Sequence, residues 1–229
     1  KYYDLFGGLS FISSIFLMLF LKIRITNDLS TREIILASFI LLWTIRLSFF
    51  LFQRVKRVGK DVRFDKLKFS FSKFLLAWMT QGLWVFICLF PTLIVFSSPT
   101  NNEIFYLIFG GLVYLVGLVT EIIADYQKTI HNRLNNKQRK FISSGLWSRS
   151  RHPNYFGEFL IWTGITIICF PVFSGFKYLA LITPIFIYFL LNYISGVNLL
   201  EERAKEKWGN NPEYVKYLKT TPKFFPKIF

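Results

Sequence analysis

Cysteine and histidine are scarce in this chain of 229 residues, with two of each, and the acidic residues number only 13. Cys88 and Cys169 fall inside apolar runs and read as small buried apolar residues. No CxxC pair or Cys/His cluster occurs, and His131 and His152 are too few for a conventional zinc or iron site. Glycine-rich GxGxxG and GxxxxGK loops are absent as well, so a nucleotide would need a cradle other than a Rossmann or P-loop turn. What the chain has in abundance is apolar surface and positive charge. It is 53% hydrophobic and 20% aromatic, with 28 Phe, yet it carries 28 Lys and Arg for a net charge of +15. A disordered basic tail would lack that apolar content, and an ordinary soluble domain would not reach a mean hydropathy of +0.41.

A helix needs roughly 20 apolar residues to cross a hydrocarbon core, because each backbone N–H and C=O must be satisfied within its own segment. Leu5–Leu21, Ile34–Phe52, Phe74–Phe96 and Ile104–Ala124 are such runs, and Phe156–Pro171 and Tyr178–Ile194 follow after a polar stretch. The expected fold class is therefore an all-α, polytopic membrane bundle of about six to seven helices in a single domain. Residues 1–100 would supply N-terminal helices and a substrate cavity, and residues 101–229 a cofactor-binding part. Phe156–Pro171 is short and closed by Ser174-Gly175, which suits half of a helical hairpin equally well. Lys1-Tyr2-Tyr3-Asp4 lacks the form of a signal-peptide n-region, so no cleavable signal is expected. The start without Met leads us to expect further residues, up to a whole span, upstream.

Of the 28 basic residues, 22 lie in three segments: Arg54 to Lys73, Lys128 to Arg151 and Arg203 to Lys227, with eight, seven and seven. Six alternating spans put all three on one side, opposite Ser98–Glu103 and Val172–Phe176, which hold no Lys or Arg. The positive-inside rule makes the basic loops and tail cytoplasmic. Only Lys22, Arg24 and Arg32 fall on the wrong side. Two readings of the basic face stay open: orientation with contact to anionic lipid headgroups, or a pocket for a phosphate-bearing cofactor. No nucleic-acid motif accompanies the charge, and nucleic acid is not an expected partner.

Ionisable residues within the apolar layer are costly unless paired or facing a polar cavity. Arg46, Glu121, Asp125 and Glu158 are of this kind. Gly110, Tyr114, Gly117, Glu121, Asp125 and Lys128 follow three- and four-residue steps and share one helical face. That face suits close glycine packing with salt-bridged carboxylates, or a cofactor pocket wall. Gly110, Gly111 and Gly117 would pack within the bundle or between subunits, which leaves oligomeric state open. Downstream, Gly145 to Glu158 gathers Arg149, Arg151, His152, Asn154, Tyr155 and Glu158 where a basic loop enters a span. Pro153 suits the first turn of that helix, Asn154, Glu158 and Trp162 would share a face, and the two arginines at its mouth are placed to grip phosphates.

The string SRHPNYFGE, preceded by GLW and followed by SG at Ser195-Gly196 and LLEER at Leu199–Arg203, resembles the steroid 5-alpha reductase C-terminal-like membrane family, a branch described as a domain of unknown function. RVGKDVRFD at Arg57–Asp65, ADYQK at Ala124–Lys128 and the ending YVKYLKTTPKFFP extend the resemblance over nearly the whole chain after the first span. The wider superfamily includes sterol reductases and isoprenylcysteine carboxyl methyltransferase. The latter shares RHPxYxG but binds S-adenosylmethionine.

The resemblance implies a membrane reductase that moves hydride from NADPH to a conjugated carbon–carbon double bond of a steroid-like or other lipid. It assigns Asp125, Arg149, Arg151, Asn154, Tyr155 and Glu158 to the cofactor region, with Tyr214 and Tyr217 closing over it, and Glu121 on the Asp125 face and His152 in the same loop are cofactor-binding candidates by position. Lys128, Arg139 and Lys140 are candidates for the 2′-phosphate. At the substrate end, Arg46 resembles the arginine that follows a carbonyl-binding tyrosine by three residues. That tyrosine position holds Trp43, whose indole donates a hydrogen bond but transfers no proton usefully. Asp4 resembles the accompanying acid, and Gln81 is a further polar group for the cavity. Expected partners are a lipid-like small molecule and membrane lipids. The alternatives are an S-adenosylmethionine-dependent methyltransferase of isoprenylcysteine carboxyl methyltransferase type, and a non-catalytic lipid-binding protein.

Overall fold

The computed structural model describes residues 3–58, 69–99, 103–134, 140–194 and 196–227. Among them every regular element is helical. The elements are α1 (Tyr3–Thr26), α2 (Thr31–Val58), α3 (Phe71–Phe96), α4 (Ile104–Leu134), α5 (Pro153–Cys169), α6 (Ile182–Phe189), α7 (Val197–Trp208) and α8 (Pro212–Thr220), with 3₁₀ turns between them and a π-helical Leu190–Ile194 after α6. Among the described residues six segments are long and apolar enough to cross a membrane, the last running from Gly175 to Trp208, and the chain is a multi-pass membrane protein. Each span exceeds its apolar run because polar ends continue the helix toward the headgroups. Arg139 and most of RVGKDVRFD lie outside the described residues.

The chain divides into two compact units, one of Lys1–Leu107 with Ile168–Leu181, the other of Ile108–Ile167 with Ile182–Phe229. In the first, α1 packs on α2 and α3. Phe11, Trp43 and Trp84 meet edge to face in its core, with ring centroids 5.0 to 6.3 Å apart. Asn27, at φ 55, ends α1 in the left-handed region that asparagine tolerates. Ser30 then starts α2 with a capping box: its N–H and hydroxyl donate to Glu33 Oε2 at 2.7 and 2.9 Å.

Glu33 has a second partner, and it accounts for the exceptions to the charge asymmetry. Lys22 Nζ lies 2.9 Å from Glu33 Oε1, both side chains being nearly or wholly buried. Arg32 is buried too and donates from Nη2 to the Glu103 carbonyl at 2.9 Å. Lys22 donates to the Ser98 carbonyl, and Lys177 to the Ser98 hydroxyl. The α1–α2, α3–α4 and 172–177 connections therefore meet at one end of this unit, as alternation of the spans requires. Lys22, Arg32 and Lys177 are thus structural at that end, and Arg24 stays exposed.

In the second unit, α4 and α5 run antiparallel and touch through glycines two helical turns apart. Gly117 faces Gly157, and Gly110 faces Gly164. A Cβ on Gly117 would lie 2.7 Å from the Gly157 carbonyl oxygen, and one on Gly164 would lie 2.6 Å from that of Gly110. The small-residue face of α4 is thus spent inside the chain.

Candidate functional site

The site grows from three pieces of the second unit: the end of α4, the 3₁₀ turn Gly145–Ser148 leading into α5, and α7–α8 with the tail after them. Gly145 has φ 62, and a side chain there would strike Gln127, whose Oε1 accepts from Leu146 N–H at 3.0 Å. Trp147 follows, buried, donating from its indole to the Ala124 carbonyl at 3.1 Å with Lys128 Nζ 4.7 Å above its ring.

The tail fixes the other side of this loop. Tyr217 donates from its hydroxyl to the Trp147 carbonyl at 2.6 Å, and Ser150 donates to the Phe224 carbonyl at 2.7 Å. Arg151 N–H donates to the Pro222 carbonyl, and Lys227 N–H to that of Arg149. Phe224 and Phe225 wedge against Phe156, Phe159 and Tyr188, anchoring the tail to the spans. Burial raises the Tyr217 pKa above its ordinary value and keeps this hydroxyl a donor.

Between these pieces lies a cavity of about 320 Å³. Lys128, Lys140, Arg151, Arg203 and Lys207 line it with a single carboxylate, Glu201, and an aromatic wall that includes Trp147, Trp208, Tyr214 and Tyr217. Glu201 is engaged on both oxygens, Oε2 by Arg151 Nη1 at 2.5 Å and Oε1 by His152 Nε2 at 2.7 Å. Tyr155 stacks on His152 with centroids 5.8 Å apart, and a Cβ at Gly196 would lie 2.6 Å from the Leu191 carbonyl oxygen and 3.0 Å from the Tyr155 ring. Burial holds the His152 pKa below its ordinary value, Glu201 pulling against that effect and Lys128 and Arg151 adding to it.

Folded protein therefore takes up this proton less readily than the unfolded chain, whose histidines titrate near 6.5, roughly. The stability it confers is complete above that pH and is lost progressively as pH falls through the lower folded-state value. Acidifying from about pH 7.5 to about pH 5 should lower the thermal midpoint, and His152→Asn should flatten that slope. An unchanged slope in the variant would assign the effect to another group.

Of the residues expected at the site, Lys128, Lys140, Arg151, His152, Tyr214 and Tyr217 line this cavity. Glu121, Asp125 and Glu158 are buried at the α4–α5 contact or along its helices, and Asn154 and Tyr155 occupy the first turn of α5. None of these five, nor Arg149, belongs to the cavity wall. Asp4, Trp43, Arg46 and Gln81 belong to the first unit, where Trp43 is core and Gln81 donates to the Tyr3 carbonyl at 2.9 Å. The sequence reading missed Glu201, Arg203, Lys207, His131, Trp147 and Trp208. Glu201 and Arg203 stood in the LLEER string, Lys207 in the basic tail and Trp147 in GLW, none of which names a partner.

A probable 7-dehydrocholesterol reductase from Acanthamoeba polyphaga mimivirus is 29% identical over 144 residues, which cover 53% of this chain. The chain spans only 30% of that relative's length. No solved structure matches it. The family model described as a protein of unknown function, DUF1295, matches residues 1–221, and the chain belongs to that family.

Proposed function

We propose that this protein is a membrane reductase that binds NADPH in the α4–α7–α8 cavity and reduces a conjugated carbon–carbon double bond of a lipid. One observation carries the cofactor part: five Lys and Arg side chains converge on a cavity walled by aromatic rings, where Glu201, the one carboxylate among the described lining residues, is already engaged on both oxygens. Phosphates demand cations near water, and flat heterocycles demand aromatic faces. Arg151 Nε and His152 Nδ1, buried polar atoms without partners among the described residues, belong to residues of the cavity wall and fit a ligand bearing both acceptors and donors. NADPH would supply hydride. Arg151, Lys128 and Lys140 would hold phosphate, and Tyr214 and Tyr217 would exclude water from above.

S-adenosylmethionine is the poorer fit, since its sulfonium and ammonium groups would meet the same cations. The lipid part of the reading is supported by the six apolar spans and by the likeness to a protein named as a probable sterol reductase.

Titration of the purified protein with NADPH should quench tryptophan fluorescence, because Trp147 and Trp208 line the cavity. Affinity should fall roughly tenfold between about 0.05 and about 0.5 M salt, as screening of a cation-lined site requires. S-adenosylmethionine should leave the signal and the thermal midpoint unchanged. Stabilisation by S-adenosylmethionine and not by NADPH would sink the proposal. Binding without oxidation of NADPH in the presence of any enone or sterol diene would leave a lipid-binding protein in place of an enzyme.

A further inference from the structure

Glu201 is the acidic residue of a cavity otherwise built for anions. By charge alone it should weaken the binding of any phosphate there. Its geometry says otherwise. Each carboxylate oxygen has its own partner, Arg151 Nη1 on one and His152 Nε2 on the other, and the two partners are consecutive residues about 50 positions away in sequence. The backbone under them is also fixed, since Arg151 N–H donates to the Pro222 carbonyl and His152 N–H to Ser150 Oγ. With backbone and carboxylate both set, the Arg151 guanidinium has one edge committed and its Nε–H buried without an acceptor among the described residues.

We infer that Glu201 is the positioning residue of this cavity, holding one edge of Arg151 so that the other faces an anionic ligand, and fixing His152 as the tautomer protonated on Nε2. An ionised carboxylate can only accept, so the ring proton must sit on the nitrogen that faces it. The Nδ1 lone pair is then left as an acceptor, buried and without a partner among the described residues. The charged groups around the ring are Lys128 from α4, Arg151 beside it and Glu201 from α7, and burial, with the two cations adding to it, favours the uncharged ring against the pull of the carboxylate. The cavity consequently offers a preset guanidinium and an uncharged imidazole of fixed tautomer, where without Glu201 both side chains would lose the contact that orients them.

The inference rests on the cavity being an anion site, as proposed above, and its test separates the two. The chain has two histidines, so ¹⁵N-histidine labelling gives two ring signals, and His152→Asn identifies the one from position 152. In unliganded wild-type protein at about pH 8, well above the ordinary histidine pKa, that signal should show a protonated Nε2 and a bare Nδ1. The opposite tautomer, or an exchange average of the two, overturns the inference without any variant having to fold.

Glu201→Gln should average the tautomers and weaken NADPH binding by about tenfold or more, although it removes a negative charge, with Glu201→Asp in between. Unchanged or tighter binding would show that the carboxylate acts only through its charge. Should wild-type protein bind no NADPH, inorganic pyrophosphate is titrated instead. A Glu201-dependent response then keeps the positioning role and removes the nicotinamide cofactor, and a Glu201-independent one removes both.

Discussion

Gly157→Leu is expected to abolish the folded protein, leaving no monodisperse species in detergent. A Cβ at this position would lie 2.7 Å from the Gly117 carbonyl oxygen and 2.8 Å from the Glu121 amide nitrogen. Both are backbone atoms of α4, so no rotamer change relieves the overlap and the two helices must separate. Separation would spread to the Gly110–Gly164 contact, where a Cβ would be closer still. Even Gly157→Ala should cost about 1–3 kcal/mol, the usual penalty for overfilling a packed contact.

Helix propensity argues the opposite sign, since Gly→Ala inside a helix ordinarily gains up to about 1 kcal/mol. Gly82 in α3 supplies the control, because a Cβ there meets nothing within 4 Å. Gly82→Ala should raise the thermal midpoint while Gly157→Ala lowers it. Two alanine variants that move the midpoint in the same direction would mean that the α4–α5 crossing is looser than its geometry implies.

The spans were legible because hydropathy is local: each run reports its own burial. Lys22 and Arg32 were not, because their burial depends on Glu33, Ser98 and Glu103 meeting at one end of the first unit. A capping box was there to be read in Ser30 and Glu33, and it would have placed Glu33 at the start of α2. It would not have revealed that Lys22 shares the carboxylate. The face from Gly110 to Asp125 was visible as a periodicity with two meanings. The glycines proved to be packing residues, which pitch alone cannot decide, since the partner glycines lie on α5. The sequence gathered basic residues around SRHPNY, of which Arg151 and His152 line the cavity and Arg149 does not. The acid in the cavity wall was not foreseen, since nothing in LLEER indicates that Glu201 reaches back to Arg151 and His152. Tyr214 and Tyr217 were assigned to the site by family resemblance, and the structure shows Tyr217 bonded to the loop it covers.

Arg149 and Arg151 are two residues apart in one basic loop, and the structure separates them. The tail sets the register: Arg149 gives its carbonyl to Lys227 N–H, and Arg151 gives its N–H to the Pro222 carbonyl. Arg151 lines the cavity and Arg149 does not. Arg151→Ala should weaken NADPH binding by about a hundredfold, near 2.7 kcal/mol, within the range for truncating one member of a hydrogen-bonded charge pair. Arg149→Ala should stay within about twofold, as a screened cation outside the wall would.

Loss of the guanidinium is one part of the effect at Arg151. The other is the Glu201 oxygen it leaves bare toward the ligand. Arg151→Lys, which keeps the charge and loses the fork, should fall between, at about tenfold. The bare oxygen also predicts a reversal of sign. Glu201→Gln weakens binding in the wild-type background, where the carboxylate holds Arg151, but should strengthen it in Arg151→Ala, where that carboxylate only repels. Titration of the four proteins of this double-mutant cycle decides the matter, with thermal midpoints as the check on folding. If Glu201→Gln shifts affinity in the same direction in both backgrounds, Arg151 and Glu201 act independently, and the coupled anion site is wrong.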